Sequence, residues 1–379
     1  MAMEPLARPI ATAINAVKGE TLLLTERRGW RDPLEPMLIS NGIDDDILGV
    51  LLGAVRASRP IYHRYLAALS TALGLPRLAL YDLSAPVNSS RTWTFAQAES
   101  FVMGEFHRAS PALGAVASRA LHKCWIDAGP RPGKVDGAFC TAVGQGQSRI
   151  LLNFAPSYIG MSTLAHELGH AYHVAVLHEY QRTWLQSASV PMTLAETAST
   201  FCEVLVQQAA RRHAAPEEEI AILGGWLEAA TDTIFGVLKL YDLEQAIFTA
   251  RRDHELSVEE LNALAVTIRD VSFGDAVEPN GTSYLWAIWH LGQPDIWHYT
   301  FPYIFGMLFG LGLFARYQRD PDAFFPHFDS ILADVNMADV STLAGRFDID
   351  LRDAGFWEES LAVLEADVAR FETLVATRH

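Results

Sequence analysis

The chain has 379 residues, half of them hydrophobic and a fifth charged, a globular balance that excludes a disordered polypeptide. Its net charge of −16 and pI near 5.2 exclude a surface suited to nucleic-acid phosphates. The three cysteines, Cys124, Cys140 and Cys202, cannot all pair; with no apolar signal core near the N-terminus, reduced thiols in the cytoplasm are expected.

The pattern is mainly helical. Ile47, Leu48, Leu51, Leu52 and Val55 recur at helical spacing over Asp44–Val55. A second helix begins at Pro60 with Tyr62, Tyr65, Leu66, Leu69 and Leu73 on one face, closed by Gly74 and Pro76. Helical patterns return at Thr94–Phe106, Pro111–Cys124, Ser162–Leu185, Thr193–His213, Pro216–Arg251 and Leu361–Thr377. The exception is Gly137–Phe154, where two short β-like runs flank Gly144-Gln145-Gly146 and read as an antiparallel hairpin just before the Ser162 helix. The Pro/Gly-rich loop Asp127–Val135 divides a helical front section, residues 1–126, from residues 127–379. Phe301–Phe314 is apolar but too short to span a bilayer, so it reads as buried core or a site wall and no membrane partner is expected.

The chemistry concentrates at HELGH, His166–His170. Residues i and i+4 of a helix share a face, so both imidazoles can reach one ion, and Glu167 is placed to take a proton from its water. Ser162 or Thr163 is the expected N-cap, and Leu164, Leu168, Tyr172 and Ala175 form a buried stripe. A catalytic zinc ion takes three protein ligands and leaves one position open. A third histidine in the metzincin manner would follow a glycine three residues after the second ligand. This chain has His173 and Val176 where that motif needs glycine and histidine, so His173 is expected in the core or behind the ligands. Glu196, on a second helix entered after Pro191, is the favoured third ligand of a gluzincin layout. Its rival role is a capping box with Thr193; Glu203, seven residues on and on the same face, is the rival ligand and otherwise orients a ligand histidine.

Taken in order, SRILLNF…STLAHELGHAYH, then LAETASTFCE, then HLGQPDIWHYTFPYIFGMLFGLGLFARY (His290–Tyr317), resemble the oligoendopeptidase F branch of the thimet oligopeptidase family. The upstream stretches DPLEPMLISNGID and HRYLAALSTALGLPRLALYDLSAPV resemble it too. The resemblance implies a mainly α zinc-metallopeptidase lobe with a small antiparallel β element beside the HExxH helix, one Zn2+ ion, and short peptides as substrates. It also implies that a histidine and tyrosines of the aromatic segment stabilise the tetrahedral intermediate: His290, Tyr299 and Tyr303, with His298 a rival for the histidine. Family members carry an additional N-terminal lobe, whereas LARPIATAINAVKGE, similar to an interior segment, lies almost at Met1. That departure leaves open a naturally short enzyme, a truncated product, self-association or a partner subunit supplying a channel wall, and a non-catalytic zinc-containing peptide-binding protein. Glu167, which metal binding alone does not require, favours the endopeptidase.

Overall fold

The computed structural model describes residues 3–87, 91–182, 190–279, 284–294 and 296–378. They form two compact units, each drawn from two stretches of chain: Met1–Ala85 with Thr231–Ile304, and Pro86–Ala230 with Phe305–His379. Both are helical, and the described strands make one three-stranded sheet.

In the first unit, the long helix Glu4–Arg28 buries Ala7, Ala11 and Ile14 against Leu243, Ile247, Leu261 and Trp286. The helices Asp45–Ala57 and Arg59–Ala72 follow the apolar spacing of the sequence, and Asp44 caps the first by accepting from Ile47 N. Of the polar side chains buried in this unit, three lie together. Lys18, 0% exposed, pairs with Glu244, whose other oxygen accepts from the backbone N–H of His298 at 2.9 Å. The His298 ring sits between Tyr241 and Phe248, at centroid distances of 5.4 and 5.1 Å. Burial alone would raise the Glu244 pKa, but His298 and Lys18 outweigh it and hold the carboxyl at about 2.

The second unit carries the sheet. Strand β1 is Ile126–Asp127, β2 is Phe139–Gly144 and β3 is Gln147–Leu151, in the order β1-β3-β2. The expected antiparallel hairpin is present, with Cys140 opposite Ile150 and an irregularity between Ala142 and Gly144. To it is added a parallel pairing of β1 with β3, Ile126 opposite Ile150, which the sequence did not signal because two residues carry no alternation. The Asp127–Val135 loop therefore leaves one strand of this sheet and lies inside the second unit. β2 is an edge, and Phe139 and Val143 are exposed along it.

Over the sheet runs the helix Tyr158–Glu179, which starts a turn before the expected Ser162. Its cap is Ser157, extended and accepting from Gly160 N; Ser162 instead points inward and donates to Glu203. Leu185, the expected end of this helix, lies outside the described residues. The helix Thr197–Arg212 crosses it and is anchored by Phe201, which stacks on Phe324 at 5.0 Å and packs edge-on to Tyr317 and Phe325. Phe301–Phe314, expected as buried core or wall, forms most of the helix Phe301–Arg319 and is almost wholly buried. Pro216–Arg251 is a continuous helical stretch interrupted by a π turn, Asp232–Gly236. Its length and apolar character would suffice to cross a bilayer, and 56% of the qualifying window is buried in the protein, as a core helix also is. Cys124, Cys140 and Cys202 are free thiols.

The first unit's charge trio has a consequence for acid stability. A carboxyl depressed on folding contributes stability that is complete above its unfolded pKa of about 4.3 and drains away as the medium falls towards the folded value. Denaturation midpoints followed between pH 6 and pH 2 are therefore expected to fall more steeply for the wild type than for Lys18→Met/Glu244→Gln, which has no such group to protonate.

Candidate metal centre

His166 and His170 leave the Tyr158–Glu179 helix one turn apart, their rings 5.0 Å between centroids and nearly perpendicular. Glu196 comes from a break between two helices. Met192–Ala195 is a single turn, Thr197–Arg212 follows, and Glu196 between them has φ −90° and ψ 3°. The cap position of that single turn is Pro191, not Thr193. Glu196 Oε2 lies 3.2 Å from His166 Nε2 and 3.4 Å from His170 Nε2, and accepts from Ser199 Oγ at 2.7 Å. The donor atoms of the three side chains all lie within 4.8 Å of one another, the one such group among the described residues.

These spacings test whether an ion fits. Tetrahedral zinc with ligands at about 2.0–2.1 Å sets donor atoms about 3.3 Å apart. The two measured edges bracket that value. The donor set, two imidazoles and a carboxylate, suits zinc among the common ions.

Two close approaches bring the ligands together. A Cβ on Gly169 would fall 2.6 Å from Ala198 O and 2.7 Å from Ser199 Cα, so only glycine lets the two helices meet here. On the other side of Glu196, a Cβ on Gly306 would fall 2.9 Å from the Glu196 Cβ. Sequence reasoning did not reach Gly169 or Ser199; the small residues of HELGH and TAST were the available signal.

Glu203 lies behind the site. Its Oε2 is 3.3 Å from His166 Nδ1, and its Oε1 accepts from Ser162 Oγ at 2.9 Å. An Nδ1–H directed at Glu203 leaves the His166 Nε2 lone pair facing Glu196. Burial opposes charge on His166, yet hydrogen bonds to Glu196 and Glu203 carry its pKa well above the ordinary value. Burial likewise pushes Glu196 up, and the two imidazoles outweigh it and bring the carboxyl well below the usual range. His173 is away from this cluster, buried, its Nε2–H donating to Leu332 O at 3.1 Å; burial drops its pKa to about 4, and it is a core residue.

Glu167 is 4% exposed and its Oε2 is buried with no hydrogen-bond partner among the described residues. Burial raises its pKa, and the neighbouring imidazoles pull it partly back. A buried carboxylate oxygen without a donor is poised to accept a proton from whatever small hydroxylic group reaches it. Strand β2 runs close by: burial pushes the Cys140 thiol up to about 12, with the Ser148 hydrogen bond opposing and the Glu167 charge adding.

The aromatic segment belongs to the first unit up to Ile304. His290 and Tyr299 are half-buried and hydrogen-bonded through Nδ1 and the phenol oxygen. Burial lowers the His290 pKa and raises that of Tyr299 to about 12. Tyr303 is half-buried in the first turn of the Phe301–Arg319 helix. His298 is 1% exposed, with Nδ1 3.1 Å from Glu244 Oε2. It has a positive φ of 50°.

Residues 20–326 match the family described as Peptidase family M3. The Group B oligopeptidase PepB of Streptococcus agalactiae serotype III (strain NEM316) is 27% identical over 360 residues, 92% of this chain and 58% of that protein. An oligoendopeptidase F homolog of Lactococcus lactis subsp. lactis (strain IL1403) is 27% identical over 270 residues, 70% of this chain and 44% of that one. The chain thus spans about half the length of the curated relatives it matches. Among solved structures, oligoendopeptidase-F from Enterococcus faecium superposes with a TM-score of 0.74 at 18% identity, covering 99% of this chain and 61% of that one. The fold is therefore shared with that peptidase.

The helix crossing yields a prediction. Gly169→Ala gains about 1 kcal/mol of helix propensity. Overpacking against fixed backbone costs about 1–3 kcal/mol. The clash wins, and the helices must part at the ligand triangle. Competition with a zinc chelator is expected to show weaker metal affinity in Gly169→Ala, by up to about thirtyfold for a net cost of about 2 kcal/mol, since 1.4 kcal/mol is a factor of ten.

Proposed function

Because this chain belongs to peptidase family M3, we propose that it is a zinc-dependent endopeptidase that cleaves internal bonds of short peptides. The observation that carries this reading is the His166–His170–Glu196 triangle with the unpartnered, buried Glu167 oxygen beside it. His166, His170 and Glu196 would hold the zinc, which when bound polarises the scissile carbonyl and acidifies an attacking water. Glu203 keeps His166 in the required tautomer, and Ser199 holds the Glu196 oxygen in place.

Glu167 takes the proton of the attacking water as general base and returns it to the leaving amine as general acid. Its raised pKa suits the first half, since a carboxylate whose pKa lies nearer neutrality takes up the water's proton more readily than an ordinary glutamate. The exposed β2 edge, Phe139–Gly144, offers main-chain groups to an extended peptide, a mode of binding tolerant of side-chain sequence. His290, Tyr299 and Tyr303 supply N–H and O–H donors to the developing oxyanion. The His290–Tyr299 hydrogen bond supports pairing those two, and His298, buried against Glu244, supports the turn that carries Tyr299.

Metal-loaded protein should cut an internally quenched peptide away from its ends, with products located by mass spectrometry. Glu167→Gln is expected to lower kcat by about 100-fold or more with metal content unchanged. A wild-type rate in that variant sinks the mechanism, and a fully metal-loaded wild type that cleaves no peptide leaves the non-catalytic binding protein as the reading. Tyr303→Phe is expected to lose about 100-fold in kcat through its missing donor. His290→Ala and His298→Ala compared on the same substrate assign the imidazole, with the larger loss in kcat expected for His290→Ala.

A further inference from the structure

The Lys18–Glu244 pair takes no proton and touches no reacting group in the chemistry above, yet it is among the most deeply buried charged groups described: the two side chains are 0% and 4% exposed. Its surroundings are apolar and aromatic. The Lys18 ammonium lies 4.8 Å from the Phe248 ring centre, and His298 lies between Phe248 and Tyr241. Replacing such an ion pair by apolar residues of similar volume is often neutral or stabilising, so stability alone is a poor reason for carrying it.

The backbone it touches offers another reason. His298 has a φ of 50°, a left-handed conformation unusual for a side chain of this size. The N–H of that same residue is what Glu244 Oε2 accepts, at 2.9 Å. On the other side, Trp297 Nε1 donates to Pro33 O at 2.5 Å. The next residue is Tyr299, whose hydroxyl meets His290 Nδ1. Two consecutive residues are thus clamped immediately before the phenol, one of them by a carboxylate that a buried lysine keeps ionised.

We propose that Glu244, backed by Lys18, is a positioning residue: it locks the left-handed turn at His298 and so fixes the Tyr299 hydroxyl against His290. This rests on the reading of Tyr299 as a donor to the reaction. The oxygen that accepts from His298 N–H does the locking, and the charge is needed only because Lys18 faces it.

Two double variants of the full chain separate these parts. Lys18→Met/Glu244→Leu removes both charges and the acceptor, whereas Lys18→Met/Glu244→Gln removes the charges and keeps an acceptor oxygen. With metal content and thermal melting measured on each, the Met/Leu protein is expected to lose at least about tenfold in kcat with KM within about twofold of wild type. The Met/Gln protein is expected within about threefold of wild type. On a Tyr299→Phe background, the Met/Leu change should cost less than about twofold more, because coupled residues are not additive.

Wild-type kcat in a folded Met/Leu protein, equal losses in the two doubles, or full additivity with Tyr299→Phe would each overturn the positioning role alone. So would a Met/Leu protein that fails to fold where Met/Gln folds, since the acceptor then serves folding. A Tyr299→Phe protein with wild-type kcat overturns the underlying reading of Tyr299, and the positioning with it.

Discussion

The His166–His170–Glu196 triangle depends on a contact that contains none of the three: the backbone of Gly169 against the Ala198–Ser199 peptide. Two helices cross there closely enough that a methyl group would overlap main-chain atoms. From that crossing follow the reach of Glu196 to both imidazoles, the approach of Glu203 to His166, and the sealing of Glu167 from solvent. Gly306 repeats the device against the Glu196 side chain itself, where a Cβ would meet the Glu196 Cβ. Packing of this kind resists small displacements, because interiors are dense and do not deform continuously.

The electrostatics of the two units contrast. In the second unit, Glu196 and His166 set each other's ionisation, and the donor atoms of the three side chains lie close together. In the first, Glu244 meets Lys18 through one oxygen and the backbone N–H of His298 through the other. The same ingredients, a buried carboxylate among cations and imidazole, make a reactive cluster in one case and a rigid one in the other. What differs is whether each carboxylate oxygen already has its partner. Glu167 Oε2 does not.

What was legible in the sequence follows from the range of the interactions involved. His166, Glu167 and His170 lie within one turn of one helix, so spacing alone placed them on a face. The hairpin was visible through Gly144-Gln145-Gly146, and Gly144, Gln145 and Gly146 do have positive φ. The helix start was read a turn late because Ser162 looks like a cap, while its hydroxyl is spent on Glu203, forty-one residues away. Strand β1 was too short to alternate. The interleaved composition of the two units, with residues 231–304 joining residues 1–85, has no local signature, and neither has a pair such as Lys18 and Glu244, 226 positions apart. Glu196 fell between these cases: the residue type and the break after Pro191 marked it, but its approach to both imidazoles depends on helices that meet only in three dimensions.

That Glu196 sits at an interruption, with bridge-region backbone angles, has a bearing on how such centres can be recognised. A ligand inside a helix inherits its direction from the helical repeat, and its distance along the chain from its partners is then informative. A ligand at a break is aimed by what presses on it, here Ser199, Gly306 and the two rings. The number of residues between His170 and Glu196 is consequently free to drift, while the small residues at the contact are not. A search pattern for centres of this type would do better to leave that gap open and require the glycines.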